Sequence, residues 1–154
     1  MTKTVTLAPD SPAVVYLCKK DKRLAKIINK IGPITYEIQE DSYYFLVSTI
    51  VGQMLSNKVA DVLIQRLLTL CSGSITPNAI NSLTNEELRS VGISNSKVGY
   101  IRNLTSEIAA GNLQFQNLAG LSDKEVLECL TSLCGIGKWS AKMYLIFILN
   151  RQDV

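Results

Sequence analysis

Histidine is absent from all 154 residues, and its absence removes a class of chemistry. Ser-His-Asp and Cys-His nucleophilic machinery needs an imidazole base that titrates near neutral pH, and zinc sites lose their commonest nitrogen ligand. Cysteine is scarce as well. Cys18, Cys71, Cys129 and Cys134 include no Cys-x-x-Cys pair of the kind found in zinc or redox sites. All four read as reduced thiols, and no zinc is expected. Long apolar runs are missing too: a charged or amide side chain interrupts every stretch before the roughly 18 to 20 residues that span a bilayer. Met1 to Pro9 has no basic segment leading into an apolar stretch and a small-residue cleavage site. A soluble intracellular protein with no membrane partner and no targeting segment is expected.

What is present suits one compact domain with a sizeable core. Apolar residues make up 47% of the chain, and the mean hydropathy is +0.17. The net charge of +3 is mildly basic and permits a polyanionic partner without requiring one. Lys19, Lys20, Lys22, Arg23, Lys26 and Lys30 cluster, which reads most simply as the solvated face of a helix.

Helical periodicity dominates the rest. From Asp21, the residues Leu24, Ile27, Ile28 and Ile31 recur at helical spacing and Gly32-Pro33 ends the run. Asp41-Ser42 caps a helix carrying Tyr43 to Ile50, and Ser56 caps another with Val59, Leu63, Leu67 and Leu70 on one face. Gly52-Gln53-Met54-Leu55 lies between them as a corner. Thr76-Pro77 reads as N-cap and first helical position, and Thr84 to Glu87 as a capping box. Ser94 precedes Val98, Ile101, Leu104 and Ile108, closed by Gly111, and Ser122 to Glu125 opens a helix bearing Val126, Leu127, Leu130 and Leu133. Lys138 to Asn150 is apolar nearly all round, which predicts burial in the middle of the bundle. Only Thr2 to Leu7 alternates like a strand. The expected fold is all-α with some eight helices, a segment 1–40 holding the short strand and basic helices, and a helical domain 41–154.

The most informative stretch is Leu133-Cys134-Gly135-Ile136-Gly137-Lys138-Trp139-Ser140-Ala141. One helix ends, a Gly-x-Gly turn intervenes and another helix begins. Two glycines two apart allow positive φ and a close backbone approach. The N–H groups opening the second helix lack intrahelical acceptors and carry the positive end of its dipole, so they suit a phosphate. Ile136 can tuck back between the helices, and Lys138 adds a formal charge beside the same phosphate. From spacing alone an ordinary helical corner remains an equal reading. A Rossmann turn is disfavoured, because the preceding segment is helical and no third glycine follows.

This stretch resembles the Leu-x-Gly-Ile-Gly-x-Trp-Thr-Ala hairpin of helix-hairpin-helix DNA glycosylases of the 3-methyladenine II type. Ile50 to Ala60, Leu88 to Lys97 and Arg151 to Val154 resemble the same family in the same order, so the resemblance runs from about Tyr43 onward. It implies a base-excision enzyme that grips double-stranded DNA through the hairpin, at Cys134, Gly135, Ile136, Gly137, Lys138 and Ser140, and rotates a damaged base into a pocket. A monovalent cation such as sodium or potassium is implied at the backbone of Leu133 and Gly135, with no other cofactor. Met54, after the Gln of the Gly-Gln corner, falls at the wedge position, although a buried corner residue is the plain alternative. Gln53 and Trp139 fall beside the base pocket, unless this sole tryptophan is simply core.

Position 139 bears on reaction type. Relatives that also cleave the strand carry a lysine there as a Schiff-base nucleophile; Trp139 implies a monofunctional glycosylase excising alkylated purines such as 3-methyladenine. The family's catalytic Asp is expected beyond Val154, as are the cysteines of any iron–sulfur cluster. The chain as given is therefore expected to be inactive, with part of its last helix uncovered, and to be a monomer when full length, in the cytoplasmic nucleoid or the nucleus. Asp153 matches an earlier, structural Asp of the segment. A non-catalytic DNA-binding hairpin module is the alternative, and a helical interaction domain a weaker one.

Overall fold

Local hydrogen-bonding chemistry starts most of the helices where the sequence places them. A computed structural model describes residues 3–151 and 153–154. Strand β1, Lys3–Leu7, is followed by helices α1, Pro12–Lys20, and α2, Lys22–Ile31, and by strand β2, Ile34–Ile38. Helix α3 is Ser42–Gly52, α4 Asn57–Leu70, α5 Pro77–Asn81, α6 Asn85–Ser90 and α7 Asn95–Ala109. Then come α8, Phe115–Leu118, α9, Asp123–Thr131, and α10, Lys138–Phe147. Asp41, Ser56, Thr76, Thr84 and Ser122 each accept a backbone N–H at the start of the following helix, and Thr84 and Ser122 do so in full capping boxes with Glu87 and Glu125. Each such cap typically stabilises its helix by about 1 kcal/mol.

The chain is mostly helical, with two departures from an all-α bundle of eight helices. Among the described residues there are ten helices, α1 and α8 being the additions, and a small sheet. In that sheet β1 pairs antiparallel with β2, from Lys3 opposite Ile38 to Leu7 opposite Ile34, and the hydroxyls of Thr6 and Thr35 lie 2.9 Å apart. Thr2 lies outside the described residues. The pairing joins segments some thirty residues apart, so nothing adjacent in sequence announced that β2 had a partner.

Contacts divide the chain after Gln39. In the first unit α2 is capped by Asp21 and closed by Gly32 at φ 78°, as its sequence suggests, yet it contains no buried residue, and Ile27 and Ile31 stand exposed. The second unit, from Glu40, holds the large core. Leu46, Val47, Ile50 and Val51 of α3 pack with Leu67, Ile80, Leu88, Ile101, Leu104, Val126, Leu130, Ala141, Tyr144 and Leu145. Val59, expected on the apolar face of α4, is exposed, whereas Leu63 and Leu67 are buried. Helix α10 is not buried all round: Ser140, Ala141, Tyr144 and Leu145 face the core, and Trp139 is 69% exposed. A surface helix can be apolar on both faces when its outer face serves something other than packing. No helix among the described residues is long and apolar enough to cross a membrane.

Candidate nucleic-acid interface

The hairpin between α9 and α10 is built by one tight turn and held from outside by α7. The N–H of Ile136 donates to the Leu133 carbonyl at 3.2 Å, which closes the turn. Gly135 sits at φ 81°, a region that disfavours any Cβ, and a Cβ there would lie 2.3 Å from the Tyr100 ring. Ile136 is 4% exposed, tucked inward as its place between the glycines suggests. Only Gly135 uses the positive φ that the spacing allows to both glycines; Gly137 does not. It has φ −90°, ψ 174°, serves as N-cap of α10, and has open space where a Cβ would go. No side chain caps this helix. The first intrahelical bond is Ala141 N–H to the Gly137 carbonyl, so the N–H groups of Gly137, Lys138, Trp139 and Ser140 have no acceptor within α10.

Cys134 and Lys138 are exposed at the same end. The Ser140 side chain, at 4% exposure, belongs to the core face of α10, one step round the helix from Trp139, so it is the backbone N–H of Ser140 that is left to face a phosphate.

The corner between α3 and α4 projects Met54 furthest, with Leu55 partly exposed beside it. Gln53 ends α3 in an extended conformation, Met54 follows at φ 58°, and the N–H of Leu55 donates to the Gly52 carbonyl. Positive φ is uncommon for a long side chain and marks a conformation that the surroundings must enforce. Met54 is 101% exposed, which removes the alternative of a buried corner residue.

Corner and hairpin are joined directly. Gln53 Nε2 donates to the Gly135 carbonyl at 2.7 Å, and Gln53 and Trp139 line the same cleft. Its volume is about 640 Å³, and the other lining residues are Thr49, Gly52, Met54, Leu55, Asn57 and Ala60. That size suits a small planar ligand. No carboxylate and no lysine is among the lining residues. Leu133 and Gly135, implied as carbonyl ligands for a monovalent cation, already accept from the Ile136 N–H and the Gln53 amide. Each carbonyl keeps one lone pair, so such an ion would share both oxygens with those donors. No group of three or more His, Cys, Asp or Glu that could hold a metal occurs among the described residues.

Sequence reading missed the scaffold beneath both loops. Lys97 Nζ donates to the carbonyls of Val51 at 2.8 Å and Gln53 at 2.7 Å, binding the C-terminal end of α3. Loss of hydration holds this ammonium below its usual pKa. Asn103 Oδ1 accepts from the Cys134 N–H at 3.0 Å, and Tyr100 packs under Gly135. Lys97, Tyr100 and Asn103 recur every three residues and so share one face of α7. That spacing was visible; which surface it faced was not.

Comparison with known proteins accounts for this arrangement. The sequence matches the family described as HhH-GPD superfamily base excision DNA repair protein over residues 47–151. It is 30% identical over 136 residues to DNA-3-methyladenine glycosylase 1 of Schizosaccharomyces pombe, covering 86% of this chain. The chain spans 60% of the length of that relative. The fold superposes on a DNA-3-methyladenine glycosidase from Bacillus halodurans with a TM-score of 0.86 and 34% identity, covering 97% of this chain and 70% of the other. It superposes on the S. pombe 3-methyladenine DNA glycosylase, solved in complex with abasic DNA, with a TM-score of 0.85 and 27% identity, covering 94% of this chain and 73% of the other. A matched segment that contains corner, α7 face and hairpin, within a fold shared over almost all of this chain, makes this chain a member of the HhH-GPD superfamily of base excision DNA repair proteins.

Proposed function

We propose that the chain binds damaged duplex DNA and supplies the hairpin, wedge and base pocket of a monofunctional N-glycosylase for alkylated purines such as 3-methyladenine. The observation that carries this reading is the Gln53 to Gly135 hydrogen bond. It ties the exposed Met54 to the uncapped start of α10, so a wedge and a phosphate clamp share one rigid support.

In this reading a backbone phosphate rests on the N–H groups of Gly137, Lys138 and Trp139, with the Lys138 ammonium beside it; such contacts fix position and leave sequence unread. The neighbouring base swings out and Met54 fills the gap. The Trp139 ring, 69% exposed, offers its electron-rich face to a base made electron-poor by alkylation. Hydrolysis then breaks the bond between base nitrogen and C1′: the base leaves with the electron pair, and water supplies hydroxide to C1′ and a proton to solution. With tryptophan and not lysine at position 139, no imine to the sugar forms and the strand stays whole. The protein works as a monomer where the genome is, in nucleoid or nucleus.

The absence of a carboxylate from the cleft lining favours one second reading, a binding module without catalysis. Positive charge developing on the sugar needs a fixed negative partner, and electrostatic stabilisation of that kind is worth about 3 to 4 kcal/mol, hundreds-fold in rate. The test uses the 154-residue chain and short duplexes that are intact, carry an abasic analogue, or are alkylated. Tighter binding to the abasic duplex, weakening steeply with salt, supports the binding roles; salt-independent binding without preference refutes them. Little or no 3-methyladenine release supports the binding-module reading, and release without nicking supports the monofunctional glycosylase. Strand cleavage would refute the monofunctional assignment.

A further inference from the structure

Among the described residues, four threonines lie inside helices, and three of them turn the hydroxyl back on their own backbone. Thr69 donates to the Gln65 carbonyl at 3.0 Å, Thr105 to Ile101 at 2.6 Å and Thr131 to Leu127 at 2.6 Å. This is the usual resting place of a helical threonine hydroxyl. Thr49 is the exception: half-buried on α3, it makes no such bond to Phe45, has no hydrogen-bond partner among the described residues, and lines the cleft that contains Trp139. Thr49 lies one helical turn before Gln53, whose amide nitrogen is committed to the Gly135 carbonyl. Beside it the cleft is bounded by Gly52 and Ala60, whose small size leaves a planar group room to approach.

We infer that Thr49 is a specificity-determining residue whose hydroxyl hydrogen-bonds the polar edge of a purine lodged against Trp139. A hydroxyl both donates and accepts, so one group serves an exocyclic amine or an exocyclic carbonyl. This inference rests on the base-pocket reading proposed above.

The test separates the two. Wild-type chain, Thr49→Val and Thr49→Ser are titrated with duplexes carrying one 3-deaza-3-methyladenine, which resists spontaneous loss, one tetrahydrofuran abasic site, or no lesion. Valine keeps the shape and loses the hydroxyl; serine keeps the hydroxyl. Thr49→Val should bind the modified-base duplex about 5- to 10-fold more weakly, the worth of one hydrogen bond, with abasic affinity unchanged. Thr49→Ser should match wild type on both. Equal affinity of Thr49→Val and wild type for the modified base overturns the role of Thr49, as does equal loss on both damaged duplexes. Wild-type chain that prefers neither damaged duplex over intact DNA overturns the base-pocket reading, and the inference with it.

Discussion

Gly135 and Gly137 stand two apart in one turn and are glycine for different reasons. At Gly135 any side chain meets positive φ and the Tyr100 ring, so Gly135→Ala should lower stability by about 2 to 4 kcal/mol through backbone strain and overpacking. At Gly137 the backbone is extended and the space is open, so Gly137→Ala should cost no more than about 1 kcal/mol as an N-cap change. On the proposed function its effect should fall on DNA instead, the methyl group standing where the hairpin would hold a phosphate. Urea denaturation and duplex titration of both variants check the pair; a Gly137→Ala protein that binds DNA normally would take the hairpin out of the interface. Met54 makes a complementary case. Fully exposed, it contributes little to the core, so Met54→Ala should leave the denaturation midpoint within about 0.5 kcal/mol of wild type. Preference for abasic over intact duplex should drop nonetheless, and equal loss on both would argue against a wedge.

At the scale of elements, α7 does the joining. Its Lys97, Tyr100 and Asn103 face supports corner and hairpin, and two residues further on, on another face, Thr105 reaches α3 through the Tyr43 hydroxyl at 2.7 Å. Burial pushes the Tyr43 phenol from the usual 10.0 up to about 12, against the opposing pull of the Thr105 hydrogen bond. Because the folded state holds this proton more tightly than the unfolded chain, its contribution is fully present below pH 10.0 and is lost as pH rises through about 12. Burial raises Tyr144 in the same direction. Stability should therefore fall on the alkaline side of pH 10.0, and Tyr43→Phe should make that fall shallower while Thr105 keeps its bond to Ile101. Denaturant midpoints between neutral and alkaline pH measure it; a Phe variant with an unchanged alkaline slope would show that the phenol is not the titrating group.

Over the whole molecule, buried apolar residues are very unevenly shared. Up to Gln39 only Val14 and Ile38 are buried among the described residues, whereas the unit from Glu40 encloses fully buried side chains from α3, α4, α7, α9 and α10. Local opening is easiest where few apolar contacts resist it. Hydrogen exchange should accordingly run faster in α1 and α2 than in α3, α7 and α10 at neutral pH. Equal protection across the two units would contradict this distribution of stability.

Features that depend on neighbours within about a turn are legible in the sequence. The caps at Asp41, Ser56, Thr76, Thr84 and Ser122 are bonds across two or three residues, so their chemistry is written in adjacent letters. The turn at Gly135 and the inward Ile136 follow from the same local spacing. Tertiary structure decided the rest. The Gln53 bond to Gly135 spans 82 residues and the Lys97 bond to Gln53 spans 44, and no periodicity encodes which distant carbonyl a flexible side chain will find. It also decided the two faces of α10. Trp139 and Ser140 look respectively like core and surface by composition, yet the packing of α10 on α3 and α9 turns serine inward and leaves tryptophan facing the cleft. Hydrophobicity tells how much surface a helix would gain by burying, and only the neighbours that it meets decide which side is buried.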